Sequence, residues 1–192
     1  MRTAAHPIDP QFTKRSSPRA MSGAPVSRES VLTLLEAARW SPSGGNGQPW
    51  LFAYALPETE TFKSVLDALV PANQVWCVRA GAFVIVASNS VRPDGKPHGS
   101  HAFDAGAAWM ALALQGGKMD LVVHAMGGFD GAKLRAALSV PETVVVHCVV
   151  AVGHTGNVQD LPESLRAREE PNDRKPLAEI AAEGAFPSAV SR

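Results

Sequence analysis

The chain has 192 residues, 45% of them hydrophobic and 19% charged, with 18 basic residues balancing 18 acidic ones. That length and apolar content suit a single domain spanning 1–192 with a real core, and zero net charge is a poor match to the basic surfaces that bind nucleic acid without regard to sequence. Cys77 and Cys148 each lie in or beside an apolar segment and read as buried small hydrophobes, not a disulfide framework. The polar N-terminal stretch does not read as a signal peptide and no apolar run approaches bilayer length, so a cytoplasmic protein with no membrane partner is expected.

Residues 1–13 read as loosely ordered, with a short helix around 10–14. Ser27 caps a helix whose Val31, Leu34, Leu35 and Ala38 share one face. Pro42 disfavours helical geometry at Ser41, so this helix stops near Trp40. Three glycines and a proline make 41–48 a loop. A strand over 50–56, a helix over 58–69 and a short helix over 71–79 follow. The uninterrupted apolar run at 82–87 is a strand covered on both faces. A polar loop at 91–99 precedes a helix over 102–118 that is apolar nearly all round, as befits a domain centre or a subunit interface. A short strand at 121–124, a helix over 130–138 capped by Asp130 and a long strand over 143–152 complete the order of an α+β domain. From 157 onward the chain is polar and spaced by Pro162, Pro171 and Pro176. A segment of that length is ordered best by packing on something else, such as a second subunit.

The sequence offers no self-contained catalytic apparatus. The glycines at 44–47 follow a helix and precede a strand, the wrong context for a dinucleotide fingerprint. A phosphate-binding Walker loop and a nucleophile elbow are both missing. His98 and His101 have the spacing of metal ligands, but their polar surroundings make them a surface pair and no metal is expected. His124 and His147 sit in strand-like segments and read as core or dimer-facing histidines. An enzyme built this way leaves the hard chemistry to a cofactor.

Three stretches point to one. Lys14-Arg15-Ser16-Ser17-Pro18-Arg19 sets two guanidiniums around two hydroxyls. Arginine presents a planar fork to phosphate, and a phosphate monoester carries about −1.5 to −2 charges near neutral pH, more than one arginine offsets. Ala38-Arg39-Trp40-Ser41-Pro42-Ser43-Gly44-Gly45-Asn46-Gly47-Gln48-Pro49-Trp50 combines glycines, which let backbone approach a flat ring, with amides that both donate and accept. His124-Ala125-Met126-Gly127-Gly128-Phe129-Asp130 is a glycine turn between a strand and a helix. Taken singly, these are also an exposed basic patch, an ordinary turn and a strand-to-helix connection.

Together they resemble the nitroreductase family. A helix ending in Ala-Arg, a Pro-Ser turn and Asn-x-Gln-Pro-Trp leading into a strand are similar to its signature. Asn73-Gln74-x-Trp76 and the Arg174-Lys175-Pro176-Leu177 element follow in the family's order, so the likeness runs from about Lys14 to Phe186. The resemblance implies a mixed, mainly antiparallel sheet wrapped by helices in an interlocked homodimer, with C-terminal tails crossing to the partner and FMN in two interface sites. Arg15, Ser16, Ser17, Arg19 and Arg174 are implied at the phosphate. Pro42, Ser43, Gly44, Asn46 and Gln48, supplied by the other subunit, and Asn73 are implied at the ribityl chain and ring. The turn formed by Ala125, Met126, Gly127 and Gly128 is implied to present N–H groups beside flavin N5. NADH or NADPH is the implied donor, in a ping-pong exchange with a small oxidised acceptor such as a nitroaromatic or quinone. Two positions depart from the family: Trp76 stands where some members have a lysine near the ring, and Gly127 where some have an acid. A flavin carrier or sensor without turnover, and a specialised flavin enzyme such as a dehalogenase, are the alternative readings.

Overall fold

A computed structural model describes residues 2–187. Residue 1 and residues 188–192, the ends of the expected domain and tail, lie outside the described residues. Among the described residues, six α-helices and four strands follow one another in the expected sequence, α1 (Pro10–Lys14), α2 (Arg28–Arg39), β1 (Trp50–Ala55), α3 (Glu60–Ala68), α4 (Pro71–Cys77), β2 (Ala82–Asn89), α5 (His101–Lys118), β3 (Leu121–Met126), α6 (Gly131–Ala137) and β4 (Val144–His154), and a seventh helix, α7 (Glu163–Arg166), lies in the segment read as an extended tail. Local chemistry sets the helix ends. Ser27 Oγ accepts the Ser30 N–H, Asp130 accepts from the N–H groups of Ala132 and Lys133, and Thr59 caps α3. Helix α2 ends with Trp40 as its C-cap, two residues before Pro42.

The strands pair in the order β1-β2-β4-β3, and all three pairings are antiparallel. Alternation along β2 sends Phe83 and Ile85 to one face and Val84 and Val86 to the other. Both faces are covered, which is why this strand is apolar without interruption. On one face α3, α4 and α6 pack Phe62, Val65, Trp76 and Leu134 against the sheet. On the other, α2 and α5 contribute Val31, Leu34, Ala108 and Leu112. Helix α5 buries Ala105, Ala108, Leu112 and Ala113 on this face, yet Phe103 in its first turn is 82% exposed. Both cysteines are free, and burial raises the Cys148 thiol to about 11.

Several placements differ from the sequence reading. His98 is buried, not on the surface: its ring fills the space beside Gly47, where a Cβ would meet His98 Cε1 at 2.8 Å. His101 is half-buried and not part of a surface pair: its Nδ1 lies 2.7 Å from the buried Ser88 Oγ, which also lies 2.6 Å from His147 Nε2. Among the described residues no group of three potential ligands is arranged for a metal. The register shift between Val86 and Ala87, opposite Cys148 and Val146, leaves His147 as the extra residue of a bulge. No helix among the described residues is long and apolar enough to cross a membrane.

Candidate functional site

The basic segment that follows α1 is positioned by what comes after it. Ser22 N–H donates to His154 O, Gly156 N–H donates to Ala20 O, and Met21 bridges to Thr155. Met21 is 1% exposed and its sulfur lies over Gly153. This short antiparallel stitch on the end of β4 lays residues 15–19 beside β3. From β3, His124 reaches Pro18 O at 3.0 Å through Nδ1. A carbonyl can only accept, so His124 is protonated on Nδ1. Burial is the main cause holding its basicity below the ordinary histidine value, which favours the neutral ring. Its other face meets the Trp76 ring at 4.7 Å between centroids.

The cleft formed here is lined by Arg15, Ser16, Ser17, Arg19, His124 and Arg174, with Arg2 and Glu169 at its sides. The structure therefore brings together all five residues that sequence reasoning assigned to a phosphate. Arg15 Nη1 donates to Ser17 Oγ at 3.1 Å. The Arg15 guanidinium is held below its usual basicity, first by burial and then by the charges of Arg174 and Arg2. Cations crowded in this way are a site that an anion would relieve. Arg19 is differently placed: it pairs with Glu169 at 3.3 Å, and the same carboxylate accepts the N–H groups of Arg19 at 2.8 Å and Ala20 at 3.1 Å. Glu169 escaped sequence reasoning because nothing local marks it; its partners lie 149 and 150 residues away. It also ties the start of the tail to its own chain, where sequence reasoning looked only to a partner.

Strand β3 leads from this cleft to the glycine turn. The Met126 side chain is buried against Cys77, so only its backbone is available to a ligand, and Ala125 is half-buried on the opposite face. Beyond them the turn is stapled to the α3–α4 junction: Gly128 O accepts from Val70 N and from Asn73 Nδ2, both at 3.1 Å, and Asp130 N–H donates to Ala68 O at 2.7 Å. One hydrogen of the Asn73 amide nitrogen is thereby engaged, leaving its oxygen and the second N–H able to meet a ligand. A Cβ on Gly128 would sit 2.8 Å from Asn73 Nδ2 and 2.9 Å from Val70 Cγ2, so glycine is required for this close approach. Gly127 is exposed. Trp76 is core, 2% exposed, and faces His124.

The third stretch forms a second cleft, lined by Gly44, Gly47, Gln48, Pro49, Asn89 and His98 among others; it shares no lining residue with the arginine cleft. Asn46 and Gln48 both take positive φ, 55° and 45°, in a left-handed geometry that is uncommon outside glycine. Ser43 Oγ stabilises this geometry by accepting the Gln48 N–H at 3.0 Å. Pro42, Gly44, Asn46 and Gln48 are all exposed, and Ser43 is half-exposed. The loop is anchored by Asp104, 3% exposed in the first turn of α5, which accepts from Ser100 Oγ at 2.9 Å and from Gly44 N–H at 3.3 Å. As the lone acid in a helix of apolar residues, Asp104 carried a signal that sequence reasoning passed over. Asp104→Ala should cost about 1–3 kcal/mol, since it removes a buried charged acceptor from the half-buried Ser100 hydroxyl and the Gly44 N–H; a lower urea midpoint and faster hydrogen exchange at Gly44 would register it.

Comparison with known proteins gives a consistent result. The family model described as "Nitroreductase family" matches residues 12–154. The Arg174 element lies beyond that match. A crystal structure described as an oxidoreductase containing FMN superposes with a TM-score of 0.93 at 39% identity, covering 96% of each chain. A structure from Desulfovibrio desulfuricans, described as a nitroreductase in complex with FMN, superposes with a TM-score of 0.75 at 23% identity over 96% of this chain and all of that one (100%). A protein of Archaeoglobus fulgidus named as an NADH dehydrogenase/NAD(P)H nitroreductase is 27% identical over 157 residues, 80% of this chain and 87% of its own length.

Proposed function

The chain belongs to the nitroreductase family, and from that membership we propose that it is an FMN-dependent oxidoreductase that works as a homodimer. The observation that carries this reading is the convergence of Arg15, Ser16, Ser17 and Arg174 on one cleft, at the start of a strand segment that ends in a glycine turn. Gly127 lies three positions beyond His124, about 10 Å of extended chain. That is the scale of a ribityl phosphate.

Arg15 and Arg174 would supply the charge, with Ser16 and Ser17 donating hydroxyls to the remaining phosphate oxygens. Neutral His124 closes one wall without adding charge. At the far end of β3, Gly127 and Gly128 give a surface without side chains against which a flat ring can lie, and Asn73 offers its amide oxygen. When bound, FMN would supply the redox chemistry, exchange of reducing equivalents between NADH or NADPH and a small oxidised acceptor such as a nitroaromatic or quinone. This chain's part is to bind, orient and shield.

The half-site at 42–48 is reached in this reading through a second copy. In one chain it stands apart from the arginine cleft, while Trp40 and Phe103 near it are 74% and 82% exposed. Exposed aromatics of that size are typical of a surface that a partner covers. Leu177, Ile180 and Phe186 in the tail are likewise exposed.

The test is to load the purified protein with FMN and titrate it anaerobically with NADH and with NADPH. Bleaching of the flavin by either, and its return on adding a quinone, is the expected result. A loaded protein that neither nicotinamide bleaches would point to a carrier or sensor. A protein that cannot be loaded would refute both readings.

A further inference from the structure

We infer that Arg2 is an additional cation of the phosphate site, reaching it from the segment ahead of α1; this rests on the FMN reading above. Arg2 precedes the residues that match the family model, so the family likeness does not point to it.

Its side chain lines the same cleft as Arg15, Ser17 and Arg174. Nη1 donates to Arg15 O at 2.8 Å, which fixes the guanidinium beside the segment. Nε is buried and has no hydrogen-bond partner among the described residues. A buried, unpaired donor on a charged group is costly, and an anion in the cleft would remove that cost. The charge balance points the same way. Arg19 is matched by Glu169, whose carboxylate is also engaged by two backbone N–H groups. The other acid of the cleft, Glu170, is exposed, as is Arg174. Arg168 is exposed as well, so Arg15 is the half-buried cation left for a ligand of about two negative charges, and the half-buried Arg2 supplies a second. The positive field of Arg2 already weighs on Arg15, as expected of two cations facing one gap.

The experiment compares wild type, Arg2→Gln and Arg2→Lys in titrations with FMN and with riboflavin, which lacks the phosphate. Arg2→Gln should raise the FMN Kd about tenfold or more, the loss expected for a charge-assisted contact, and leave the riboflavin Kd unchanged. Arg2→Lys should recover most of the affinity, because the charge is retained. The inference is overturned if Arg2→Gln holds FMN as wild type does. Equal weakening of both flavins, or a lysine variant no better than the glutamine one, would also overturn it, since either makes Arg2 a structural tie to Arg15. If wild type binds no FMN, thermal melts with inorganic phosphate separate the two readings. Phosphate that stabilises wild type more than Arg2→Gln upholds the cation site and sinks the flavin; equal stabilisation sinks both.

Discussion

Arg15→Ala should raise the Kd for FMN by about a hundredfold, the upper range for losing a charged hydrogen-bonding partner, with little change in the melting temperature of the flavin-free protein. The two effects separate because Arg15 is poorly compensated in the free chain. Its own side-chain bond is to Ser17 Oγ, and its nearest charges, Arg174 and Arg2, repel it. Removing it relieves that repulsion and leaves no acid stranded, since Glu169 is satisfied by Arg19 and two backbone N–H groups. The loss falls on the phosphate alone, so riboflavin binding should be unaffected. Flavin fluorescence titrations of both ligands, set beside thermal melts, measure this. Unaltered FMN affinity in a folded Arg15→Ala protein would show that the cleft is not the phosphate site.

Gly156→Ala is expected to act in the opposite manner, on the fold first and on the ligand as a consequence. A Cβ at this position would stand 2.4 Å from both the carbonyl carbon and the oxygen of Met21, and 2.7 Å from Ser22 N. These are backbone atoms of the segment that carries the basic cluster, and that segment is fixed on its other side by the Ser22-to-His154 bond. No side-chain rotation can relieve the overlap, so the segment must lift from β4, loosening the Gly156-to-Ala20 bond and the buried Met21. Overpacking of this kind costs about 1–3 kcal/mol, or roughly 2–8 °C in Tm for a domain of this size. FMN affinity should fall with it, because residues 15–19 are displaced together. Melting within about 1 °C of wild type, well below that expectation, would mean that the stitch does not position the site.

The two substitutions illustrate how differently parts of the molecule could be read beforehand. The residues proposed to hold a phosphate were legible as a group because Arg15, Ser16, Ser17 and Arg19 are neighbours in sequence, and their chemistry suffices to suggest an anion. The cap at Ser27, the end of α2 before Pro42 and the two-sided burial of β2 were legible for the same reason: each follows from a rule that operates over a few residues. His98 was misjudged because its neighbours Lys96, Pro97, Gly99 and Ser100 suggest solvent; its burial comes from Gly47, far along the chain, which leaves room for an imidazole. Arg2 was assigned to a loose terminus for the same cause, as its anchor is a carbonyl 13 residues on.

Periodicity, capping and proline placement are local, and they were enough to set the order of helices and strands, the both-faces-covered sheet and the chemistry of the basic segment and of the glycine turns. Charge balance inside the cleft is a sum over groups that become neighbours when the chain closes on itself. Glu169 matching Arg19 across 150 residues, Asp104 seating the glycine loop 60 residues away, and Gly156 under Met21 emerge from packing alone. A field or a steric contact depends on distance in space, which sequence separation does not encode.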